Sequence, residues 1–150
     1  MKLKQILHAL FFLLVTASSS TLLAAVCIET GSYAADGLQI SVIEARLAGS
    51  YTLQGNTAVT LPAHCRIAAV LTPTVDSHIE MELWLPENWN GKFLAVGNGG
   101  WAGSISFGAM AAGLRAGYAV ASNDTGHAGG SASFAIGHPE KVVDFAYRAM

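Results

Sequence analysis

The sequence predicts an α/β fold, in which a run of strands is followed by alternating strands and helices. Two observations support this prediction. Short, wholly apolar runs at 93–96 and 118–121 are typical of strands, and each leads into a glycine-rich loop and a helix-compatible segment. Before them, runs rich in β-branched residues are separated by turn signals. Strands that alternate with helices indicate a layered architecture with a largely parallel sheet, and an antiparallel front is common on such sheets.

The first 25 residues have the order of a secretory signal peptide. Lys2 and Lys4 precede an almost unbroken apolar run, and small residues end the segment at Ala24 and Ala25. A membrane anchor would need roughly 20 apolar residues, and serines interrupt this segment. We therefore expect residues 1–25 to be removed on export, which leaves a secreted or periplasmic chain.

Composition excludes several classes of partner. Of the 150 residues 52% are hydrophobic and 12% are charged, and the net charge is −2. Because there is neither a basic patch nor an acidic tail, the sequence predicts neither nucleic-acid binding nor disorder. Small domains expose a large share of their surface, so we expect part of this apolar material to pack against further sequence.

Two cysteines, Cys27 and Cys65, follow the predicted export signal. An even number of cysteines in an oxidising compartment favours a disulfide. Lipidation of Cys27 is an alternative, although a lipoprotein signal requires a small residue where Val26 stands. Two free thiols are the third alternative.

The first half of the chain is predicted to contain four strands. Aliphatic and β-branched residues mark them at 40–43, 57–61, 65–71 and 79–85. Turns are predicted at Gly49-Ser50 and Gly55-Asn56, while Pro73 and Pro86 end the last two strands.

The strand at 79–85 has a clear period of two. Its aliphatic residues alternate with two glutamates and Trp84 in the order Ile79, Glu80, Met81, Glu82, Leu83, Trp84, Leu85. This pattern predicts a strand whose aliphatic face is buried.

The next strand and helix are predicted from turn and cap residues. Asn90-Gly91 is a tight-turn signal, and the apolar run 93–96 is typical of a strand covered on both faces. Small residues at 105–116 permit a helix, which Gly117 would cap.

The end of the chain is predicted to be helical. After a Gly/Ala/Ser-rich loop at 128–137, Pro139 stands where a helix favours its first turn. Apolar residues then form a helical stripe at 142, 143, 145, 146 and 149. We expect this helix to be still running at Met150, so that the chain is a fragment cut within an element.

The loop 97–103 (Gly-Asn-Gly-Gly-Trp-Ala-Gly) is the most informative segment for chemistry, because glycines let backbone N–H groups approach an anion closely. A phosphate loop would need a Lys followed by Ser or Thr, which the loop lacks. The glycine spacing of a dinucleotide fingerprint is also missing, although Asp124 lies at a suitable distance. An oxyanion hole after the third strand of an α/β-hydrolase sheet fits better, and a plain turn is the alternative.

Asp124-Thr125-Gly126-His127 follows the strand at 118–121 and is a second candidate site. Its Asp and His could be metal ligands or members of a triad. A zinc site needs at least three protein ligands, however, and the only other histidine nearby is His138. We expect Asp124 to cap a turn and His127 to bond the backbone. The sequence contains no Gly-x-Ser-x-Gly, so it offers no nucleophile elbow.

Five segments of the chain, in this order, match motifs of one known family. They are 61–66 (Leu-Pro-Ala-His-Cys-Arg), 79–93 with its Leu-Pro-Glu-Asn-Trp-Asn-Gly-Lys-Phe ending, 97–103, 117–119 together with 124–127, and 144–149 (Asp-Phe-Ala-Tyr-Arg-Ala). In this combination the chain resembles the tannase and feruloyl esterase family. The resemblance covers nearly all of the sequence from Cys27 onward.

The resemblance implies an α/β-hydrolase core whose nucleophile is a serine in a Gly-Cys-Ser-x-Gly-Gly motif. That motif, the acid Asp and the base His would follow Met150, as would a lid that in this family often holds calcium. Within this chain the resemblance implies a Cys27–Cys65 disulfide, a backbone oxyanion donor at Gly99 or Gly100, and no cofactor.

We therefore expect residues 26–150 to be the N-terminal part of an α/β-hydrolase catalytic domain, truncated before the nucleophile elbow and carrying additional N-terminal strands. The expected function is a serine esterase for small phenolic esters such as feruloyl or galloyl compounds, without a nucleic-acid partner and without a membrane partner after signal cleavage. This chain alone is expected to be inactive. The alternatives are a non-catalytic exported β-rich binding module and an oxidoreductase that binds a dinucleotide near Gly97.

Overall fold

A computed structural model of the protein describes Cys27 and residues 33–53 and 57–150. The predicted export signal and the turn predicted at Gly55-Asn56 lie outside these residues. In the described part of the chain, no helix has the length and hydropathy that a membrane span requires.

Seven strands and two α-helices are described, together with two short helical turns of other types. The strands are β1 (Leu38–Arg46), β2 (Gly49–Leu53), β3 (Thr57–Leu61), β4 (His64–Leu71), β5 (Ile79–Pro86), β6 (Phe93–Val96) and β7 (Ala119–Asn123). The helices are α1 (Phe107–Arg115) and α2 (Pro139–Val143), with a 3₁₀ turn at Ala132–Ala135 and a π-helical turn at Asp144–Arg148.

Five of the strands form one sheet in the order β1-β4-β5-β7-β6, and β2 pairs with β3 in a separate hairpin. Only β6 and β7 are parallel, while the other three pairings in the sheet are antiparallel. The prediction of a largely parallel sheet is therefore wrong for the described strands. Parallel neighbours need a long crossover connection, and among these strands only β6 and β7 are joined by a helix, α1.

The turn predicted at Gly49-Ser50 is wrong, because β2 begins at Gly49, which pairs with Leu61 in the hairpin. The strand pairing is interrupted instead at the two preceding residues, and the chain bends at Ala48. A glycine and a serine are typical of turns, but here the pairing with β3 decides their conformation.

Strand β5 is confirmed, but burial is not confined to its aliphatic face, on which Ile79 is fully buried. Trp84 is 1% exposed and Glu82 is 3% exposed, whereas Leu83 and Leu85 are half-buried. The reason is that both faces of this strand are covered. Helix α1 and the β2–β3 hairpin pack on the Trp84 side, and Leu83 and Leu85 pack around the disulfide on the other side.

The buried carboxylate of Glu82 is neutralised by its neighbours. The Arg66 Nε donates to both carboxylate oxygens at 3.1 and 2.9 Å, and the Trp84 Nε1 donates to Oε2 at 2.9 Å. The hydrogen bonds from Arg66 to Glu82 raise the pKa of Arg66, against the opposing effect of burial. A buried charge is tolerated when it is paired and hydrogen-bonded in this way.

The disulfide between Cys27 and Cys65 is confirmed. Both cysteines are buried, and Ile67 of β4 packs against them. The bond therefore joins the start of the described chain to the second strand of the main sheet.

Helix α1 is confirmed, and its C-terminus has the geometry of a Schellman motif. Gly117, at φ +82°, donates its N–H to the Leu114 carbonyl, and Tyr118 donates to the Gly113 carbonyl.

Strand β6 is also confirmed, but it lies at the edge of the described sheet. Phe93 is 60% exposed there, so the predicted covering of both faces is not found among the described residues.

The C-terminal helix begins at Pro139 as predicted, but it does not run on at Met150. It continues through the π-helical turn and ends at Arg148. Its fully buried residue is Asp144, whereas Val142 and Val143 of the predicted apolar stripe are exposed.

Candidate functional site

Two loops meet at one edge of the main sheet. Because β6 and β7 are parallel neighbours, the loops at 97–106 and 124–138 both follow the carboxyl ends of strands. This is the edge at which open α/β sheets bind ligands.

The first loop makes a tight turn at the two candidate oxyanion residues. The Ala102 N–H donates to the Gly99 carbonyl at 3.2 Å, and Gly100 has φ +58°. A positive φ at the first central position is the pattern of a type II′ turn, which requires glycine there.

The backbone of this turn is open to a ligand. Gly99 and Gly100 are exposed, and a Cβ added at either position would meet no atom within 4 Å. No described residue accepts a hydrogen bond from either N–H group. The turn is therefore not packed into the interior, and its amides remain available as donors.

Asn98 anchors the turn on its N-terminal side. Its Nδ2 donates to the Asn123 carbonyl at 2.9 Å, and its Oδ1 accepts from the Ser106 hydroxyl at 3.2 Å. The Ser106 N–H in turn donates to the Ser122 Oγ at 3.1 Å. These bonds tie the loop to the end of β7.

Three consecutive residues anchor the turn on its C-terminal side. The Trp101 carbonyl accepts from the His127 Nε2 at 3.0 Å, and the Ala102 carbonyl lies 3.3 Å from the Thr125 Oγ1. Gly103 and Gly129 exchange backbone bonds at 2.7 and 3.3 Å. A Cβ at Gly103 would overlap the His127 carbonyl, so this close approach of two backbones requires glycine.

The imidazole of His127 lies in a cluster of aromatic rings. It stacks on Phe134 with ring centroids 3.8 Å apart and an angle of 16° between the planes. The centroid of the Phe145 ring lies 5.7 Å from that of His127 and 4.9 Å from that of Trp101. The side chain of His127 is therefore held in one place by packing as well as by its bond to Trp101.

Asp124 caps the second loop, as predicted. Its Oδ1 accepts from the N–H groups of Gly126 at 2.8 Å and Glu80 at 3.0 Å. Burial raises the pKa of this carboxyl above its ordinary value of 3.8, and the two N–H bonds act in the opposite direction. His127 bonds the backbone, also as predicted.

Replacing Asp124 with Asn and with Ala should separate its charge from its hydrogen bonds. Since one oxygen accepts both bonds, Asn can keep them, whereas Ala should cost about 1 kcal/mol. A raised folded pKa means that wild-type stability falls as pH rises from 3.8 through the folded value. Asp124→Asn should therefore be more stable than wild type at pH 7 and equal to it at low pH, as measured by urea unfolding across pH. Equal stabilities of the Asn and Ala variants at pH 7 would contradict this.

The structure does not assemble a metal site around these residues. His138 instead contacts Asp76, with its Nδ1 2.9 Å from the Asp76 Oδ1. Among the described residues, no three His, Cys, Asp or Glu side chains are grouped so that they could hold a metal ion.

A cleft of about 400 Å³ lies beside the turn rather than over it. Its lining includes the apolar side chains of Ile105 and Phe107 and three carboxylates, but neither Gly99 nor Gly100. The carboxylates belong to Glu80, Glu82 and Asp124. Carboxylates disfavour an anionic ligand in this cleft. The open amides, rather than the cleft, therefore define the candidate site.

Sequence reasoning missed the residues that hold the turn. Asn98 and Ser106 lie near opposite ends of one loop and Ser122 lies on β7, and no local pattern connects them. The signal that could have identified one of them is the single amide side chain within the glycine run at 97–100.

Comparisons with known proteins agree on one family. The sequence model described as tannase and feruloyl esterase matches residues 65–150. A protein named as an uncharacterized esterase of Xanthomonas campestris pv. campestris is 39% identical over 148 residues, which are 96% of this chain and 25% of that protein. A probable feruloyl esterase B-1 of Aspergillus oryzae is 42% identical over 88 residues, or 59% of this chain and 16% of that protein.

A solved structure has the same fold. The crystal structure of feruloyl esterase B from Aspergillus oryzae superposes with a TM-score of 0.77 and 30% identity, covering 88% of this chain and 27% of that one. The chain spans about a quarter or less of the length of the curated relatives described above.

Proposed function

The chain belongs to the tannase and feruloyl esterase family, and on this basis we propose that it is the N-terminal part of a carboxylic-ester hydrolase. Relatives named as feruloyl esterases support aromatic acid esters, such as feruloyl or galloyl compounds, as the substrate class. The enzyme is a serine esterase of the α/β-hydrolase type.

The observation that carries this proposal is the pair of open backbone amides at Gly99 and Gly100. Attack on an ester carbonyl places negative charge on its oxygen, and preorganised N–H groups stabilise that charge. The amides belong to a loop after a strand of the sheet, which is where esterases place one oxyanion donor. Their lack of partners among the described residues leaves them free for this role.

The reaction follows the logic of a serine triad. A serine hydroxyl attacks the ester carbonyl, a histidine takes its proton, and an acid orients the histidine. The histidine then returns the proton to the leaving alcohol, and water releases the aromatic acid in a second cycle. None of these three residues is assigned in this chain, and we place them in sequence that follows residue 150.

His127 is not the base of this triad. Its Nε2 donates to the Trp101 carbonyl, and its ring is stacked within the aromatic cluster. Asp124 is likewise occupied by two backbone N–H groups. This occupation also counts against Asp124 as the acidic residue of a dinucleotide site.

Export is the second part of the proposal. Residues 1–25 act as a signal peptide, and the enzyme works in the periplasm or outside the cell. The Cys27–Cys65 disulfide supports this location, since disulfides persist in oxidising compartments.

The proposal is tested with methyl ferulate, methyl gallate and p-nitrophenyl acetate. We expect hydrolysis by the polypeptide expressed from the whole reading frame, and none by residues 26–150 alone. A folded full-length protein that hydrolyses none of the three esters would refute the proposal, and so would turnover by 26–150. Binding of phenolic esters without turnover would favour the non-catalytic binding module. An increase in melting temperature with NAD would favour the dinucleotide alternative.

A further inference from the structure

We propose that His127 is a positioning residue for ester hydrolysis, and that it holds the Gly99–Gly100 turn in place by donating its Nε2–H to the Trp101 carbonyl. The inference rests on the proposed function, because it assigns the residue that keeps the oxyanion donors in register.

The bond is made at the residue next to the donors. Trp101 directly follows Gly100 and is the third residue of the turn that the Ala102–Gly99 bond closes. Asn98 holds the turn from the other side through the Asn123 carbonyl. The two open amides therefore lie between the Asn98 bond and the His127 bond, which is the bond on the C-terminal side made at the residue next to Gly100.

Neither glycine is held by packing of its own. Nothing would lie within 4 Å of a Cβ at Gly99 or Gly100, so the space beside each residue is open. Their positions must come from the anchors on each side. Displacement of a catalytic group by about 1 Å can cost roughly 10²-fold in rate, so the quality of the anchors matters for the reaction.

His127 is itself immobilised. It is 7% exposed, and its ring stacks on Phe134 at 3.8 Å. Its Nδ1 lies 3.3 Å from the Thr125 hydroxyl, whose residue has φ +59°. A carbonyl oxygen can only accept, so the Nε2 must carry the hydrogen that Trp101 receives. This donation is the same in the neutral Nε2–H tautomer and in the imidazolium.

Two substitutions separate the hydrogen bond of His127 from the packing of its ring, because a merely structural histidine would tolerate an aromatic replacement better than an amide. His127→Phe keeps the aromatic stack and lacks the donor, whereas His127→Gln lacks the stack and can place an amide N–H near the Nε2 position. In the full-length enzyme we expect His127→Phe to lower kcat by about 10- to 100-fold with KM within about threefold, a partial form of the 10²–10³-fold cost of losing a donor. His127→Gln should recover most of kcat.

His138→Phe is the matched control, since this exposed histidine on the same loop contacts Asp76 and not the turn. Its kcat should equal that of wild type.

Rates are divided by the concentration of active sites from the p-nitrophenyl acetate burst, which removes the effect of misfolded enzyme. If His127→Phe does not fold, His127→Asn replaces it, because its amide is too short to reach the Trp101 carbonyl.

Two results would overturn the inference. One is a burst-corrected kcat within twofold of wild type for the variant without the donor. The other is a loss in His127→Gln at least as large as in the variant without the donor, which would assign the effect to the stacked ring rather than to its N–H group. Failure of the proposed function gives a different result, because wild type itself would then hydrolyse none of the esters.

Discussion

Replacing Gly100 with Val is expected to lower kcat for ester hydrolysis by about 10²–10³-fold, with little change in KM. Gly100 adopts φ +58°, which a β-branched residue rarely tolerates, so the turn must change its shape. The amides at Gly99 and Gly100 would then leave the positions from which they meet the developing oxyanion. Because the substrate carries little of that charge in its ground state, the loss should fall on kcat. The measurement is steady-state hydrolysis of methyl ferulate by the full-length enzyme.

Gly97→Ala serves as the control for this prediction. Gly97 lies in the same glycine run, its Cβ would also meet open space, and its φ is not positive. Its kcat should stay within about twofold of wild type. If Gly99→Val and Gly100→Val also both stayed within twofold, the oxyanion donor would not lie in this turn.

Loss of the Cys27–Cys65 disulfide is expected to lower the free energy of unfolding by about 4 kcal/mol. The two cysteines are 38 residues apart, and the estimate follows from the loop entropy that the bond removes from the unfolded chain. Cys27→Ala/Cys65→Ala should show this as a lower midpoint of urea unfolding. The small side chains also leave a gap beside Ile67, which adds to the loss.

Reduction of the wild type with dithiothreitol is the matched control, because it removes the bond and keeps both side chains. The two losses should agree to within about 1 kcal/mol. A reduced wild type as stable as the oxidised protein would show that the bond contributes nothing to folding.

The elements could largely be predicted from local pattern. Proline and glycine mark the start of α2 at Pro139 and the cap of α1 at Gly117, because each residue restricts or frees the backbone on its own. The strands β1, β3, β4 and β5 follow runs of β-branched and aliphatic residues for a similarly local reason.

The burial of those elements could not be predicted in the same way. Trp84 and Glu82 are buried because α1 and Arg66 cover their face of β5, and both partners come from distant parts of the chain. Asp144 is buried because it accepts from Ser77 at 3.0 Å and from Arg148 at 2.8 Å. A pattern of apolar residues contains no information about a polar group that is buried with its partners.

The candidate site shows the same difference between what local sequence predicts and what tertiary contacts decide. By itself the sequence determined the glycine run at 97–103, the capping role of Asp124, and family motifs specific enough to indicate an esterase. Only the tertiary structure decided that Asn98 and His127 hold the Gly99–Gly100 turn from both sides, with its amides left open. The physical reason is that a glycine's freedom is a local property, whereas its fixed position depends on hydrogen bonds from β7 and the loop that follows it.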